Sequence, residues 1–521
     1  MPTISRRQIL LTGAAATASF ALPGGLARPY LSRAADRPLI THGLQTGDIG
    51  SDAGMIWARA DRPSQMMVEI STTESFKNAR TLPALTVDPE GDFTGKLLVD
   101  DLPSGQDIFY RVRFRDIADV NVIGEPLVGR FRTAPGNRRG VKFTWSGDTA
   151  GQGWGIDADR GGMKAYATML KHQPDFFIHS GDTVYADGPL KSEVKLPDGT
   201  MWKNVTTEEK SKVAETLSEY RGQYKYNLMD ENVRAFNAAV PIYAQWDDHE
   251  VTNNWSSSKI LGDAYKEKNI GVLAARAARA FHEMMPLRTS IVEPRRVYRR
   301  VNYGPLLDIF FLDMRTYRGP NTANGQTKES AETVFLGAEQ IAWLKRELLN
   351  SRATWKVIAA DMPLGLIVPD KQADGSMRQE GVAQGNGAPA GREHEFAHIL
   401  SFMKHAGIKN TVWLTADVHY TAAHYYDPDK AQFQDFDPFW EFVSGPIHSG
   451  TFGPNELENT FGPQLRYVKA PENGQANLSP AAGLQFFGLV AIDGDTEQMT
   501  VTLKDVADAD LWSITLDPQR A

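Results

Sequence analysis

The chain has 521 residues, a formal net charge of −8 at pH 7 and no cysteine. Its length predicts two or three structural units, and its 41% of hydrophobic residues can form a large core. The negative charge argues against a nucleic-acid-binding role, because such binding depends on Lys and Arg side chains that neutralise phosphates. Without cysteine, disulfides and thiolate metal sites are excluded. Any metal must therefore be held by oxygen and imidazole ligands, a donor set that favours hard cations such as calcium or ferric iron.

The amino terminus has the order of segments that is typical of export signals. Arg6 and Arg7 precede an apolar, alanine-rich run, and small residues follow it. This order predicts a signal peptide over residues 1–34, cleaved after Ala27 or after Ala34. The paired arginines resemble a twin-arginine signal, which implies the twin-arginine export machinery as a partner and a periplasmic or secreted location. No later segment is apolar enough to span a bilayer, so we expect no stable membrane anchor.

Short strands separated by turns follow the predicted signal. Repeated strands of this kind predict an antiparallel β-sandwich over residues 40–134. The turn at residues 102–105, before the strand at 108–114, is similar to fibronectin type III-like domains. Residues 134–140 are predicted to form a linker, since they are rich in Gly, Pro and Asn.

From Val141 onward the pattern changes to alternating strands and helices, which predicts βαβ units. Residues 140–505 are therefore expected to form one α/β domain, ending in a hairpin from 485 to 503, with a C-terminal tail at 506–521. The longest predicted helices cover residues 208–237 and 263–285.

One segment of the α/β domain is rich in Gly and Ala. It spans residues 369–391 and lacks a helical or strand period. A segment of this length is predicted to be either a lid over a binding site or a surface loop.

Acidic residues follow four of the predicted strands. Asp148, Asp182, Asp248 and Asp417 each come directly after an apolar run, and His419 lies two residues beyond the last of them. A single acid after a strand is often a turn or helix cap. If a sheet aligns the four strand ends, however, the acids converge on one cleft, and such crowding is tolerable only around cations. The sequence therefore predicts a bound metal cluster.

Five ordered motifs carry a resemblance to a known family, and they lie at Ser180–Tyr185, Trp246–Trp255, Leu312–Arg318, Leu336–Leu344 and Leu414–His419. Together they resemble the alkaline phosphatase D (PhoD) family of the calcineurin-like metallophosphoesterase superfamily, and the resemblance covers nearly the whole chain. It implies a metallophosphoesterase-type αββα sandwich preceded by a small fibronectin III-like β-sandwich.

The same resemblance implies a ligand set. In that family the tyrosine that matches Tyr185 binds ferric iron, and the acid that matches Asp182 bridges to calcium. Many relatives carry a cysteine after the first strand of the α/β domain, whereas this chain has Asp148 there. We take Asp148 as the substitute ligand, which is compatible with calcium and iron, with calcium alone or with other divalent metals.

The remaining residues of the strand ends are assigned by their chemistry. Asp248 and Asp417 are predicted to be metal ligands, and His419 is expected to bind a metal or to support a residue that does. The predicted catalytic residues are Asp182, Asp248 and His249, with His249 contacting the phosphate or protonating the leaving oxygen.

Three further residues are predicted to bind substrate. Asn253 and Asn254 follow the His249 motif and are expected to contact phosphate or calcium, or else to cap the next segment. Arg315 follows a strand and is predicted to hold phosphate through two hydrogen bonds, with a salt bridge to Asp313 or Glu339 as the alternative.

The sequence thus predicts an exported, metal-dependent phosphoric ester hydrolase in which a metal-activated hydroxide attacks a phosphate ester in line. Phosphomonoesters and phosphodiesters are both expected substrates. The alternatives are a phospholipase D-like or teichoic-acid-type phosphodiesterase and, from another class, a surface-binding protein with an inactive catalytic domain.

Overall fold

A computed structural model of the chain describes residues 36–372, 375–472 and 474–520. The predicted signal peptide, 1–34, lies outside the described residues. None of the helices in the described ranges is long and apolar enough to cross a membrane.

Strands make up most of the regular structure. They are β1 (Ile40–Gly47), β2 (Gly54–Ala60), β3 (Ser64–Ser71), β4 (Arg80–Thr81), β5 (Leu85–Val87), β6 (Thr94–Val99), β7 (Asp107–Asp116), β8 (Leu127–Arg132), β9 (Val141–Ser146), β10 (Phe176–Ser180), β11 (Glu193–Lys195), β12 (Met201–Lys203), β13 (Ile242–Gln245), β14 (Arg299–Asn302), β15 (Leu307–Phe311), β16 (Trp355–Ala359), β17 (Pro369–Lys371), β18 (Met377–Gln379), β19 (Thr411–Thr415), β20 (Thr421–Tyr426), β21 (Phe439–Val443), β22 (Pro463–Lys469), β23 (Phe486–Ile492), β24 (Met499–Asp505) and β25 (Asp510–Leu516).

Helices occur between the strands from β9 onward. They are α1 (Lys164–Lys171), α2 (Leu217–Asn227), α3 (Glu231–Ala239), α4 (Ile270–Met284), α5 (Ala338–Asn350) and α6 (Glu393–His405).

Two large sheets pack face to face at the centre of the molecule. One has the order β25-β24-β23-β9-β10-β13-β1-β2-β6 and the other β14-β15-β16-β19-β21-β20-β22. Their inner faces share one apolar core, to which Trp145 and Tyr243 contribute from the first sheet and Phe311 and Leu414 from the second. A second core lies between the first sheet and α1–α4, and a third lies between the other sheet and α5–α6. The molecule therefore has the expected αββα layers.

The central strands of both sheets are parallel. In the first sheet β10 pairs in parallel with β9 and β13, and Ile178 lies opposite both Trp145 and Tyr243. In the second sheet β15, β16, β19 and β21 are parallel neighbours. Since these strands are buried on both faces, they read as continuous apolar runs. Their carboxyl ends meet at the same edge of the sandwich, which is where the candidate site lies.

The amino-terminal β-sandwich is joined to this assembly by hydrogen bonding. The expected strands between residues 40 and 134 are present, but β1, β2 and β6 belong to the nine-stranded sheet, and only β3, β4, β5, β7 and β8 form a separate sheet. The junction is a parallel pairing of Gly47 with Ile242. A Cβ on Gly47 would lie 2.4 Å from the carbonyl oxygen of Ile242, so the close approach of β1 and β13 requires glycine here.

The single helix predicted for residues 208–237 is wrong. Two helices, α2 and α3, occupy this stretch, and residues before Thr216 are not helical. The reason is capping: the Thr216 hydroxyl and the Glu219 carboxylate form a capping box that starts α2, and Asp230 accepts hydrogen bonds from two backbone N–H groups and starts α3. Likewise α4 begins only after its cap Asn269, rather than at residue 263.

The predicted C-terminal tail, 506–521, contains a strand. β25 pairs antiparallel with β24 and forms the outer edge of the nine-stranded sheet. Its side chains are half-buried or exposed, which is why the segment lacks the apolar run of a central strand.

Candidate metal centre

The four strand-end acids of the sequence converge at one edge of the sandwich. Asp148 follows β9, Asp182 follows β10, Asp248 follows β13 and Asp417 follows β19. The first three side chains are at most 3% exposed, and that of Asp417 is 14% exposed. The predicted convergence is thus confirmed, and both central sheets contribute to it.

Unusual backbone conformations turn these side chains into the cleft. Asp148, Asp182 and Asp417 have φ values of 68°, 50° and 64°, and His419 has 61°. Few residues other than glycine adopt this left-handed region, although a short polar side chain such as Asp tolerates it best. Backbone strain of this kind is common at sites that bind ligands. His419 therefore reaches the cleft through a turn, rather than along the extended backbone that its spacing from Asp417 predicted.

The side chains form three overlapping groups that could each hold a cation. Within each group, one ligand atom from every residue lies within 4.8 Å of the others. Asp182 belongs to two groups and so does Asp248, which makes these two residues the links between neighbouring positions. The groups are Asp148, Asp182 and His419; Asp182, Asp248 and His249; and Asp247, Asp248 and Asp417.

Several of the carboxylate oxygens have no hydrogen-bond partner among the described residues. Asp148 Oδ2, Asp247 Oδ2 and Asp248 Oδ1 are buried in this state. A buried unpaired carboxylate oxygen is costly unless a cation binds it. Oxygen donors, one or two imidazoles and a phenol also match the ligands of hard cations. The residues present therefore fit a bound metal cluster.

The electrostatics of the acids agree with this interpretation. Burial raises the pKa of Asp148, Asp182 and Asp417 well above the usual range, and neighbouring carboxylates raise it further. Burial also acts on Asp248, but the charges of His249 and Arg315 outweigh it and lower the pKa of that acid. Bound cations would reverse the shifts of the first three, because they favour the charged carboxylates.

Tyr185 lies beside Asp148 and His419. Its hydroxyl oxygen is 2.9 Å from His419 Nε2 and 3.5 Å from Asp148 Oδ1, and the side chain is buried. Burial and the charges of nearby carboxylates raise the pKa of the phenol well above its usual range. A Cβ on Gly151 would lie 2.3 Å from the Tyr185 ring, so this glycine makes room for it.

His249 forms a pair with an acid that the sequence did not single out. Its Nδ1 lies 2.7 Å from Asp187 Oδ1, and its backbone N–H donates to Asp182. Burial favours the neutral ring, but Asp187 and Asp248 outweigh it and raise the pKa of His249 to about 9. Its Nε2 is directed at the same group of ligands, 3.8 Å from Asp248 Oδ1.

Arg315 is not placed to bind substrate. Its side chain is fully buried and ion-pairs with Asp247 at 2.5 Å, with Asp361 at 3.3 Å and with Glu380. The prediction of a phosphate contact is corrected, and so is the alternative, because neither Asp313 nor Glu339 pairs with its guanidinium. The cause is the tertiary arrangement, which brings three acids from distant segments around one strand end.

The two asparagines differ in placement. Asn254 is half-buried, its backbone N–H donates to Asp248 Oδ2 and its amide donates to Asp370 Oδ1 at 3.0 Å. Asn253 is exposed, and its backbone N–H donates to Asp187 at 2.7 Å. Both thus hold neighbouring acids through their backbone N–H groups.

Three buried acids and one half-buried acid near the site were missed by the sequence analysis. Asp361 follows β16 in the same way as the other strand-end acids, so the same signal could have found it. Asp247 and Glu250 lie inside a motif that was recognised, but only Asp248 was selected from it. No sequence signal identified Asp187, because it lies in a loop five residues beyond Asp182.

Comparisons with known proteins agree with this geometry. The family model described as "PhoD-like phosphatase" matches residues 143–503, and "PhoD-like phosphatase, N-terminal domain" matches residues 25–135. The chain belongs to the PhoD-like phosphatase family. It is therefore a phosphatase, an enzyme that hydrolyses phosphate esters.

Individual relatives cover most of the chain. It is 28% identical to "Alkaline phosphatase D" of Bacillus subtilis (strain 168) over 445 residues, which are 81% of this chain and 71% of that protein. The solved "Structure of PhoD" is 22% identical, covers 92% of this chain and 89% of its own, and has a TM-score of 0.67. A purple acid phosphatase from yellow lupin seeds is 12% identical, covers 92% and 74%, and has a TM-score of 0.56. These structures share the fold of this phosphatase.

Proposed function

We propose that this phosphatase is metal-dependent, with calcium and ferric iron as the leading candidates, and that it hydrolyses phosphomonoesters and phosphodiesters. The observation that carries the proposal is the set of buried carboxylate oxygens without hydrogen-bond partners among the described residues, which face one another at the strand ends. Bound cations would neutralise phosphate oxygens and supply an activated water.

The chain's own residues have distinct roles in this proposal. Asp182 would contribute to two cation positions, and Asp148 and His419, with the neighbouring Tyr185 phenol, would complete one of them. Asp248 and Asp417 would hold a cation on the other side of the cluster. Tyr185 provides a phenol oxygen next to Asp148, which suits ferric iron in a site without cysteine.

His249 acts as the proton donor to the leaving oxygen. Asp187 holds its Nδ1, which directs Nε2 into the cleft and keeps the ring protonated. Asn253 contacts the substrate from the open side, while Asn254 keeps Asp248 in position.

The proposal also includes export. The twin-arginine-like segment at the amino terminus supports a periplasmic or secreted location. Amino-terminal sequencing of the protein recovered from its host tests this, and an intact Met1 would contradict it.

The decisive experiment compares metal content with activity. The purified protein is assayed with p-nitrophenyl phosphate and bis-p-nitrophenyl phosphate before and after chelation, and its metals are measured. We expect chelation to abolish both activities and re-addition of metal to restore them. Activity that is indifferent to chelation would overturn the proposal.

A substitution at Asp182 provides a second test of the proposal. Asp182→Ala is expected to lose both bound metal and turnover, and Asp159→Ala, at an exposed acid, is the matched control. A fully active Asp182→Ala protein would rule out the bridging role.

A further inference from the structure

The segment from residue 369 to residue 391 is attached to the candidate metal centre by two acids. It contains the hairpin of β17 and β18, and Glu380 and Val382, just after the hairpin, are fully buried. The prediction that this segment is a lid or a surface loop therefore does not describe residues 380–383, which are buried, whereas residues 384–389 are half-buried or exposed and irregular. Two of its acids, Asp370 and Glu380, face inward. Asp370 contacts Asn254 and Glu380 contacts Arg315, and each of these partners in turn contacts an acid of the candidate metal centre.

Glu380 is connected to Asp247 through one guanidinium. Its carboxylate pairs with Arg315, and Arg315 Nε donates to Asp247 Oδ1 at 2.5 Å. Asp247 directly precedes Asp248, and all three side chains of this chain of contacts are at most 1% exposed. Charges that are this deeply buried are stabilised only by their partners, so the position of Asp247 depends on Arg315 and that of Arg315 on Glu380.

Glu380 is also held by two guanidinium groups other than that of Arg315. Arg318 donates to its carboxylate at 2.8 Å, and Arg392 donates to its carbonyl oxygen at 2.6 Å. Two guanidinium groups therefore fix the segment at Glu380. One belongs to the turn that follows β15, and the other belongs to the residue directly before α6. It has no freedom to open at this point without leaving buried charges unpaired.

Asp370 makes the equivalent connection to Asp248. Its Oδ1 accepts from the Asn254 amide at 3.0 Å, and its Oδ2 accepts from the Asn321 amide at 3.0 Å. Asn254 in turn donates its backbone N–H to Asp248 Oδ2, from a left-handed conformation with φ of 52°. Asp370 therefore stabilises the strained turn that presents Asp248.

We propose that Glu380 and Asp370 are positioning residues for the metal centre, acting through Arg315 and Asn254 respectively. The parts of the segment that carry these two acids form a fixed wall of the site. It holds the turn of residues 246–254 in the conformation that binds cations before any cation arrives. This inference rests on the proposed metal-dependent function, but one of its tests does not involve metal.

The first test is hydrogen–deuterium exchange on the metal-free full-length protein. In Glu380→Gln and in Asp370→Asn, we expect exchange to increase at least threefold in peptides that cover residues 246–254, while α5 and the strands β15 and β16 keep their protection. Glu456→Gln, at an exposed acid beside the segment, is the matched control and should change nothing. Unchanged exchange at 246–254 in both variants would overturn the proposal.

The second test is the affinity of the chelated protein for added cations. Residues that support metal ligands typically affect metal affinity by about tenfold to a hundredfold, and we expect a loss of this size in both variants. A general loss of stability would instead raise exchange throughout the protein and lower the melting temperature without a selective effect on affinity.

The outcomes separate this proposal from the proposed function. If chelation leaves wild-type activity intact, the metal-dependent function fails, and exchange at residues 246–254 still decides whether the two acids position the turn. If Glu380→Gln does not fold, Asp370→Asn provides the test, because its partner Asn254 is only half-buried. Wild-type affinity in a folded variant with raised exchange would overturn the link to metal binding.

Discussion

At the scale of single residues, the site combines left-handed backbone with buried polar groups. Asp148, Asp182, Asp417 and His419 all have positive φ values, and glycine or alanine directly precedes each of the three acids. Two residues allow sharp tests, because their environment predicts a specific consequence rather than a general loss of function. They are His249 and Gly445.

His249→Gln should impair catalysis according to the leaving group. If His249 protonates the leaving oxygen, its loss costs about 10²–10⁴ in kcat for alkyl phosphates, whose leaving groups need a proton. The loss should be much smaller for p-nitrophenyl phosphate, whose leaving group is stable as an anion. Steady-state kinetics with both substrates at the same pH measure this, and an equal loss for both would contradict the role.

Gly445→Ala should remove metal without unfolding the protein. A Cβ at this position would lie 2.3 Å from Asp148 Oδ2, so the carboxylate must move from its place in the cluster. We expect a loss of bound metal by elemental analysis, with an unchanged circular dichroism spectrum. Gly262→Ala is the control, since no atom lies within 4 Å of its added Cβ. Full metal content in Gly445→Ala would be evidence that Asp148 is not a ligand.

At the scale of elements, the start of α6 carries an acid in an unusual state. Glu393 lies in the first turn of α6 and accepts hydrogen bonds from the backbone N–H groups of Gln384 and Ala390. Burial, together with the charge of the nearby Glu458, raises its pKa from 4.5 to about 8. Because the folded protein keeps this proton where the unfolded chain releases it, the contribution to stability is complete below pH 4.5 and is lost as the pH rises toward about 8.

The substitution Glu393→Gln should therefore become relatively more favourable as the pH rises. The difference in unfolding free energy between the variant and the wild type is expected to increase by up to about 1.4 kcal/mol per pH unit between pH 5 and pH 8. Urea unfolding at a series of pH values measures it. Glu339→Gln, at an exposed acid in the first turn of α5, is the matched control. A flat profile for Glu393→Gln would show that Glu393 is ionised in the folded protein.

At the scale of the whole molecule, the β-sandwich and the catalytic sandwich are parts of one structure. They share the nine-stranded sheet and a continuous apolar core. Polar contacts add to this: Asp48 pairs with Arg299 at 2.8 Å, and Trp57 Nε1 donates to the carbonyl oxygen of Glu283 at 2.9 Å.

Thermal unfolding of the protein should consequently show a single transition. Because β1 and β13 are neighbours in one sheet, unfolding of the sandwich would expose the edge of the catalytic sheet and much of the shared core. Differential scanning calorimetry measures this, and near-ultraviolet circular dichroism should report the same midpoint. Two well-separated transitions would contradict the expected coupling.

The sequence alone determined the features that depend on local pattern. Apolar runs identified the buried parallel strands, and an acid after each of four strands identified Asp148, Asp182, Asp248 and Asp417, because parallel strands must end at a common edge. It failed where capping decides a boundary, as at Thr216 and Asp230, and at the edge strand β25, whose exposed face gives no apolar signal.

Only the tertiary structure decided which charged residue faces the cleft and which is enclosed behind it. Arg315 and His249 both follow a strand beside an acid, and nothing local distinguishes them. Arg315 is enclosed by Asp247, Asp361 and Glu380, which come from three distant segments, whereas His249 meets Asp187 and faces the cleft. The sequence likewise did not predict that the two sandwiches share one sheet. The surroundings of Arg315 and His249 and the shared sheet all depend on contacts between residues far apart in the chain, and the packing of the whole molecule fixes those contacts.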